Sequence, residues 1–157
     1  MSEFTHFNAD GNAVMVDVGE KEDTKREALA SGVIYMSEEC YRKVKEGSMK
    51  KGDVLGVARI AGIMGAKKTA ELIPLCHILS LTKVEIDFEY LEKEHGIRAL
   101  CRTACTGKTG VEMEALTGVN VCLLTIYDMC KAIDKHMVMS NIHLVEKTGG
   151  KSGDFHF

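Results

Sequence analysis

A carboxylate and an amine lie three residues apart in the most apolar helical segment of the chain, which runs over 111–133. On a helix, Asp128 and Lys131 fall on neighbouring turns of one face and can form an ion pair. On a solvated helix such a pair contributes little to stability. In apolar surroundings both charges lose hydration, and a pair kept there marks either a functional site or a structural ion pair. The residues alone leave both interpretations open.

Two further carboxylates, Glu112 and Glu114, open the same predicted helix, where acidic side chains complement the helix dipole. Glu114 is 14 residues from Asp128, which returns it to nearly the same face but about 21 Å away along the axis. A single reacting atom of a small molecule cannot touch both carboxylates. If both serve one site, either the substrate is long or two chains contribute.

An imidazole and two glycine-rich segments are further candidates for chemistry. His77 follows Pro74, the only proline in the chain, and a ring fixed beside a helix end suits proton transfer, although most lone histidines are packed or surface residues. The segments 106–110 and 149–152 mimic phosphate-binding loops but lack the first glycine of a Walker A motif. The amides of residues 107–110 could still hold an anion or form a plain turn.

Hydrophobic periodicity and turn residues predict the elements that position these groups. They are a short strand over 13–18, a strand over 24–35, a helix over 38–46, a helix that opens at 51–53 and continues to 72, a hairpin of strands 84–90 and 97–103, a helix over 111–133 and a strand over 138–146. With the paired helices counted as one crossover, the order from residue 24 onward is that of an α+β, ferredoxin-like split βαβ fold, an antiparallel sheet with helices on one face. The helix over 111–133 is apolar nearly all round, which predicts that a second subunit covers part of it.

Composition narrows the classes of function. The 157 residues form a single predicted domain, with a mobile arm over 1–23 and a flexible tail over 147–157. Its 20 basic and 23 acidic side chains give a net charge of −3 without a basic block, which disfavours a nucleic-acid partner. The longest apolar stretch is too short to cross a membrane, and the N-terminus has no basic, apolar leader. We therefore expect a cytoplasmic protein.

The six cysteines predict buried free thiols rather than a metal site or disulfides. No Cys-x-x-Cys pair occurs, and the spacings match no zinc pattern. Most of these cysteines lie among aliphatic residues, where a free thiol packs as a small hydrophobe.

Several long motifs occur in a fixed order along the chain. They are Thr5-His6-Phe7-Asn8 through Val18, residues 24–32, residues 51–67 beginning Lys51-Gly52-Asp53, Ile73-Pro74-Leu75-Cys76-His77, residues 109–117 with Val111-Glu112-Met113-Glu114, Tyr127-Asp128-Met129-Cys130-Lys131-Ala132, and residues 147–153. Together they resemble the cyclic pyranopterin monophosphate synthase family of molybdenum cofactor biosynthesis. The sequence departs at Ile78, where the family commonly has proline.

The resemblance implies a homohexamer, a trimer of dimers of ferredoxin-like subunits with active sites at the dimer interfaces. It implies a lyase that acts after a radical-SAM enzyme and converts 3′,8-cyclo-7,8-dihydroguanosine 5′-triphosphate to cyclic pyranopterin monophosphate and pyrophosphate. It implies no cofactor, although Mg²⁺ could accompany the triphosphate. The implied catalytic pair is Asp128 and Lys131. The implied substrate-binding residues are Leu75, Cys76, His77, Met113, Glu114, Lys51, Glu112, Lys147, Lys21 and Arg26, of which Lys21 and Arg26 match basic positions on a mobile N-terminal segment.

The implied reaction needs several proton transfers and no redox step, together with cations around the departing pyrophosphate. We expect Lys131 to be tuned by Asp128 and by burial so that it shuttles protons. Two alternatives remain: a ferredoxin-like module that binds a phosphorylated metabolite without chemistry, and a protein that holds a metal through Cys and His.

Overall fold

One five-stranded antiparallel sheet forms the centre of the fold. In this computed structural model, which describes residues 6–157, the strands are β1 (Thr24–Tyr35), β2 (Leu81–Leu91), β3 (Gly96–Gly107), β4 (Val138–Thr148) and β5 (Phe155–His156). Their order across the sheet is β2-β3-β1-β4-β5. The helices are α1 (Glu38–Glu46), α2 (Val54–Lys67), α3 (Thr69–Leu72) and α4 (Glu112–Cys130). The predicted α+β, ferredoxin-like fold is confirmed.

Local sequence signals explain most of the element boundaries. Helix α1 begins after Ser37, whose hydroxyl accepts a hydrogen bond from the amide of Cys40, and ends at Gly47 in the left-handed conformation. Asp53 caps α2 in the same way through the amide of Gly56. The predicted hairpin is present as β2 and β3, and Arg98 of β3 pairs with Glu89 of β2 at 2.7 Å.

Helices α2 and α4 cover one face of the sheet and cross each other closely. Helix α4 packs on β1, β3 and β4, while α2 packs on β2. A Cβ added at Gly62 of α2 would lie 3.0 Å from the carbonyl oxygen of Gly118 in α4 and 2.2 Å from Ile86 of β2. The glycines at this contact therefore let the two helix backbones approach each other.

Several predicted elements differ from the structure. The strand predicted over 13–18 is wrong: among the described residues, Ala13 makes a single bridge to Phe7 and residues 13–18 belong to no strand. The hairpin strands β2 and β3 are each longer than the predicted 84–90 and 97–103. Helix α4 ends at Cys130, before the predicted residue 133, because the chain turns at 131–133. Strand β4 extends to Thr148 because its last residues pair with β1, and the tail returns as β5 beside Glu146 and Lys147. Residues 1–5 of the predicted arm lie outside the described residues.

Candidate active site

A cavity of about 300 Å³ lies beside the N-terminal end of α4. Helix α4 contributes the side chains of Glu112, Met113 and Glu114, and the loop before it contributes Thr109 and Gly110. The remaining walls come from the turn after α3 and from the N-terminal arm: Leu75, Cys76, His77, Leu79, His6, Val16, Val18 and Lys21. Seven of the predicted substrate-binding residues thus meet at one place, although they come from three separate parts of the chain.

The His77 ring joins the arm to the cavity wall. Its Nε2 atom lies 2.6 Å from the carbonyl oxygen of Val16. Because a carbonyl oxygen can only accept, Nε2 carries the proton in this contact. In the neutral ring the lone pair then resides on Nδ1, which can serve as a base. A second bond between the arm and the cavity wall runs from Lys108 Nζ to the carbonyl oxygen of Gly19, at 2.6 Å.

Glu114 is the buried acid of this cavity. Its residue is 4% exposed, and its Oε2 atom has no hydrogen-bond partner among the described residues. Burial raises the pKa of Glu114 to about 6, with a smaller contribution from the nearby charge of Glu112. A carboxyl group with a pKa close to neutrality can both give and take a proton. The same burial, together with the charge of Glu114, raises the pKa of the neighbouring Cys76 thiol, so that thiol stays protonated.

The predicted catalytic pair lies at the opposite end of α4. Lys131 Nζ is 2.6 Å from Asp128 Oδ1, and Lys51 Nζ is 2.9 Å from the Asp128 carbonyl oxygen and 3.7 Å from its Oδ2. The hydrogen bond between the two side chains lowers the pKa of Asp128 and raises the pKa of Lys131. Both side chains are exposed, at 59% for Asp128 and 51% for Lys131. This chain alone therefore does not supply the burial predicted for the pair, and Lys131 is held in its charged form.

The remaining predicted basic residues have different surroundings. Lys147 of β4 lies 3.6 Å from Glu112 Oε1 and also donates to the hydroxyl of Ser152. Lys21 lines both the Glu114 cavity and an adjoining cleft of about 680 Å³ that also contains Arg26. Lys51 belongs with the Asp128 pair at the other end of α4.

Arg26 does not lie on the N-terminal arm, which corrects the position implied by the resemblance. It belongs to β1, and its guanidinium donates to the carbonyl oxygens of Gly107 at 3.2 Å and Lys108 at 3.1 Å. These two bonds fix the loop that precedes α4. In this arrangement Arg26 supports the floor of the cavity through the backbone.

His6 and Val18 line the Glu114 cavity, but sequence reasoning did not select them as site residues. Neither residue belongs to a helix or strand, and the alternation that predicted a strand over 13–18 did not show that Val18 reaches a cavity. They reach the cavity because the arm folds back over the start of α4. The motif that contains His6 carried the resemblance, and this was the one available signal.

The cysteines pack as the sequence predicts. Cys40, Cys101, Cys105, Cys122 and Cys130 are buried and free, and Cys76 is partly buried. Burial raises the pKa of Cys101 and of Cys122 to about 12, which keeps both thiols protonated. Within residues 6–157, no three His, Cys, Asp or Glu side chains are grouped so that they could hold a metal ion.

An apolar surface lies on the solvent side of the two long helices. Val57, Ile60 and Met64 repeat along α2 at helical spacing and are 46%, 61% and 54% exposed, and Leu124 of α4 is 57% exposed. In the part of the chain that the structure describes, no helix is long and apolar enough to span a membrane.

The chain is similar to known proteins along nearly its whole length. A model of the MoaC family matches residues 15–150, a span that includes both ends of α4. The chain belongs to the MoaC family. Proteins named cyclic pyranopterin monophosphate synthase are 60% identical in Clostridium botulinum, over 98% of this chain and 97% of the relative, and 58% identical in Heliobacterium modesticaldum, over 99% and 98%. A third, from Peptoclostridium acidaminophilum, is 57% identical over 98% of this chain and 96% of the relative.

Membership in the MoaC family confirms the predicted resemblance, and with it the prediction that the chain is an enzyme of the lyase type. The match covers nearly all of both chains, so the aligned length spans both the cavity and the Asp128 pair.

Proposed function

We propose that this protein is a cyclic pyranopterin monophosphate synthase of molybdenum cofactor biosynthesis. Its substrate is 3′,8-cyclo-7,8-dihydroguanosine 5′-triphosphate, supplied by a radical-SAM enzyme, and its products are cyclic pyranopterin monophosphate and pyrophosphate. The names of the relatives and the family match support this assignment. We place the reaction in the cytoplasm, with Mg²⁺ as a companion of the triphosphate rather than a resident cofactor.

The observation that carries the proposal is the division of ionisable groups between the two ends of α4. Glu114 and His77 face the cavity at one end, while Asp128, Lys131 and Lys51 cluster at the other. The two groups are about 21 Å apart along one helix, farther than one reacting centre can reach. This separation supports a site that combines the cavity of one chain with the Asp128 pair of another.

The apolar surface on α2 and α4 supports this use of two chains. Val57, Ile60, Met64 and Leu124 expose large apolar side chains, and burying such side chains against a second copy is favourable. A second copy placed there would also exclude water from Asp128 and Lys131. We propose dimers of this kind, assembled three at a time into a homohexamer.

The proposed chemistry divides between proton transfer and charge neutralisation. Opening one ring of the purine-derived base and closing the pterin ring moves several protons, for which Glu114 near neutrality, His77 Nδ1 and the Asp128–Lys131 pair are suited. Formation of the cyclic phosphate breaks the bond between the α and β phosphates as a sugar-derived oxygen attacks the α phosphorus. Pyrophosphate leaves with the excess negative charge, which Lys51, Lys131, Lys147 and Lys21 can neutralise.

The direct test supplies the purified protein with the cyclised triphosphate. We expect pyrophosphate and a product that oxidises to a fluorescent pterin to appear in equal amounts. Binding of the substrate without either product would favour the alternative of a metabolite-binding module. Elemental analysis of the same preparation tests the metal-protein alternative.

A mixing experiment tests whether two chains share a site. The E114A and K131A variants are each expected to be inactive, and they are unfolded together and refolded as mixed oligomers. If one chain provides the cavity and its neighbour the pair, random pairing restores about a quarter of the wild-type sites. Mixed oligomers that form, as native mass spectrometry would show, yet stay inactive would contradict the shared site.

A further inference from the structure

Asp134 ties the end of α4 to two other parts of the chain. The residue is 9% exposed. Its Oδ2 atom accepts a hydrogen bond from the backbone amide of Ser37 at 2.8 Å, and its Oδ1 atom accepts one from the amide of His136 at 2.8 Å. Ser37 is the residue before α1. One buried carboxylate thus joins the start of α1, the turn after α4 and the approach to β4.

The turn held by Asp134 carries Lys131. The amide of Lys131 donates to the carbonyl oxygen of Tyr127 at 2.8 Å, and the amides of Ile133 and Asp134 both donate to the carbonyl oxygen of Cys130, at 2.9 and 3.2 Å. These bonds fix the turn from the helix side. The two bonds to the Asp134 carboxylate fix it from the opposite side. Lys131 therefore lies on a turn that is anchored at both ends, although its own side chain is exposed.

We infer that Asp134 is a positioning residue that holds Lys131 against Asp128 by clamping the 131–134 turn to the start of α1. The inference rests on the proposed function of the Asp128–Lys131 pair. It adds a residue that lies outside both the cavity and the pair. Because each of its two carboxylate oxygens accepts a bond from a different amide, the clamp should weaken when one oxygen is replaced by a group of the same shape that cannot accept.

The decisive variant is D134N. Asparagine has the shape of aspartate but a single acceptor oxygen, so one of the two amide donors would face an NH₂ group. We expect kcat to fall about tenfold, with KM within about twofold of wild type, because small displacements of a reacting group reduce the rate more than binding. The D87N variant, at an exposed aspartate on β2, removes the same charge and should retain wild-type constants.

A second pair of variants tests the clamp while leaving Asp134 in place. Ser37 has a φ of −62°, which proline adopts without strain, so S37P removes the amide that donates to Asp134. It also removes the hydroxyl that caps α1. The control S37A removes the hydroxyl and keeps the amide. We expect S37P to lower kcat about fivefold relative to S37A.

A readout that does not depend on activity separates this inference from the proposed function. The pKa of Lys131 is measured by NMR of its labelled side chain, in wild type and in D134N. The groups that face this amine are Asp128, Tyr127 and, beyond the carboxylate, Lys51. A looser contact with Asp128 lowers the Lys131 pKa toward its ordinary value.

The Lys131 pKa and the kcat values of the variants together test the clamp. A lower Lys131 pKa in D134N, together with the kcat loss in D134N and S37P, supports the inference. A D134N protein that is merely less stable, with unchanged kcat and unchanged Lys131 pKa, overturns it. So does an S37P variant that behaves as S37A does. If K131A itself keeps wild-type turnover, the proposed catalytic role of the Asp128–Lys131 pair fails, while the NMR result still reports on the clamp.

Discussion

The two ends of α4 carry carboxylates in opposite electrostatic situations. Glu114 is buried, lacks a partner for one oxygen atom among the described residues and has a pKa raised to about 6. Asp128 is exposed, bonded to Lys131 and has a lowered pKa. In one chain by itself, the Glu114 end is therefore suited to exchange protons, whereas the Asp128–Lys131 end holds fixed charges until a second copy covers it. The difference shows that one helix can supply two chemical functions when its ends lie in different solvent environments.

The largest loss of activity is expected when the Lys131 amine is removed from the C-terminal end of α4. The K131A variant should reduce kcat by roughly 100-fold or more, because it removes a group that handles protons and charge in the transition state. The control is K135A, which removes an exposed lysine from the following loop and should have little effect. Steady-state pyrophosphate release measures both. If K131A stays within a few-fold of wild type, the catalytic assignment of the pair is wrong.

The buried carboxyl group of Glu114 should make the free energy of unfolding depend on pH. Glu114 has a higher pKa when folded than its ordinary value of 4.5, so the folded protein binds its proton more tightly than the unfolded chain does. Raising the pH from 4.5 through 6 therefore removes stability, by about 2 kcal/mol once the change is complete. The E114Q variant should be more stable than wild type by this amount at pH 7.5.

The difference between E114Q and wild type should shrink to about 0.4 kcal/mol near pH 4.5, where the carboxyl group is protonated in the folded state and half protonated in the unfolded state. Urea denaturation at the two pH values measures it. The E94Q variant, at an exposed residue of the turn between β2 and β3, should show little change at either pH. Equal stabilisation of E114Q at both values would mean that burial does not raise this pKa.

Between its two ends, α4 is in close contact with α2, and a substitution at this contact tests how tightly the two helices pack. The G62A variant places a methyl group 2.2 Å from Ile86 Cδ1 and 3.0 Å from the Gly118 carbonyl oxygen. We expect it to lower the free energy of unfolding by about 1–3 kcal/mol, the usual range for overpacking. Thermal unfolding would measure the loss. A variant as stable as wild type would show that α2 can move away from α4 without penalty.

The smallest effect on activity is expected at the core thiols between the two ends. Cys101 and Cys105 of β3 are buried free thiols. Cys105 donates to the carbonyl oxygen of Thr109 at 4.0 Å, and the proposed mechanism uses neither thiol. Serine at both positions should leave kcat within about twofold of wild type, although burying hydroxyls lowers stability by about 1–3 kcal/mol each. A loss of turnover beyond the loss of folded protein would assign these thiols a chemical role.

Much of the fold could be predicted because its local signals agree with its tertiary contacts. Ser37 and Gly47 gave both ends of α1, and alternation gave the hairpin of β2 and β3. The segment 13–18 alternates in the same way but forms no strand, since its backbone faces the cavity and the carbonyl oxygen of Val16 accepts from His77. Alternating hydrophobicity indicates that one face of a segment is buried, but it does not show whether a neighbouring strand is available to pair with that segment.

Less of the site than of the fold could be predicted from sequence patterns. The spacing of Asp128 and Lys131 indicated an ion pair, and the structure contains it. Residue spacing could not place His77 in the same cavity as Glu114, because that depends on how the 73–77 turn packs beside α4. The resemblance supplied that grouping. It also placed Arg26 on a mobile segment, whereas β1 fixes this side chain against the loop before α4.

The arm meets the cavity through its main chain. Both bonds described there, from His77 to Val16 and from Lys108 to Gly19, end on carbonyl oxygens of the arm. Every amino acid carries such an oxygen, so this attachment fixes the path of the arm without using the Lys21 side chain, which lines the cavity. Substituting Lys21 should then change what the arm presents to a bound molecule while the attachment stays in place.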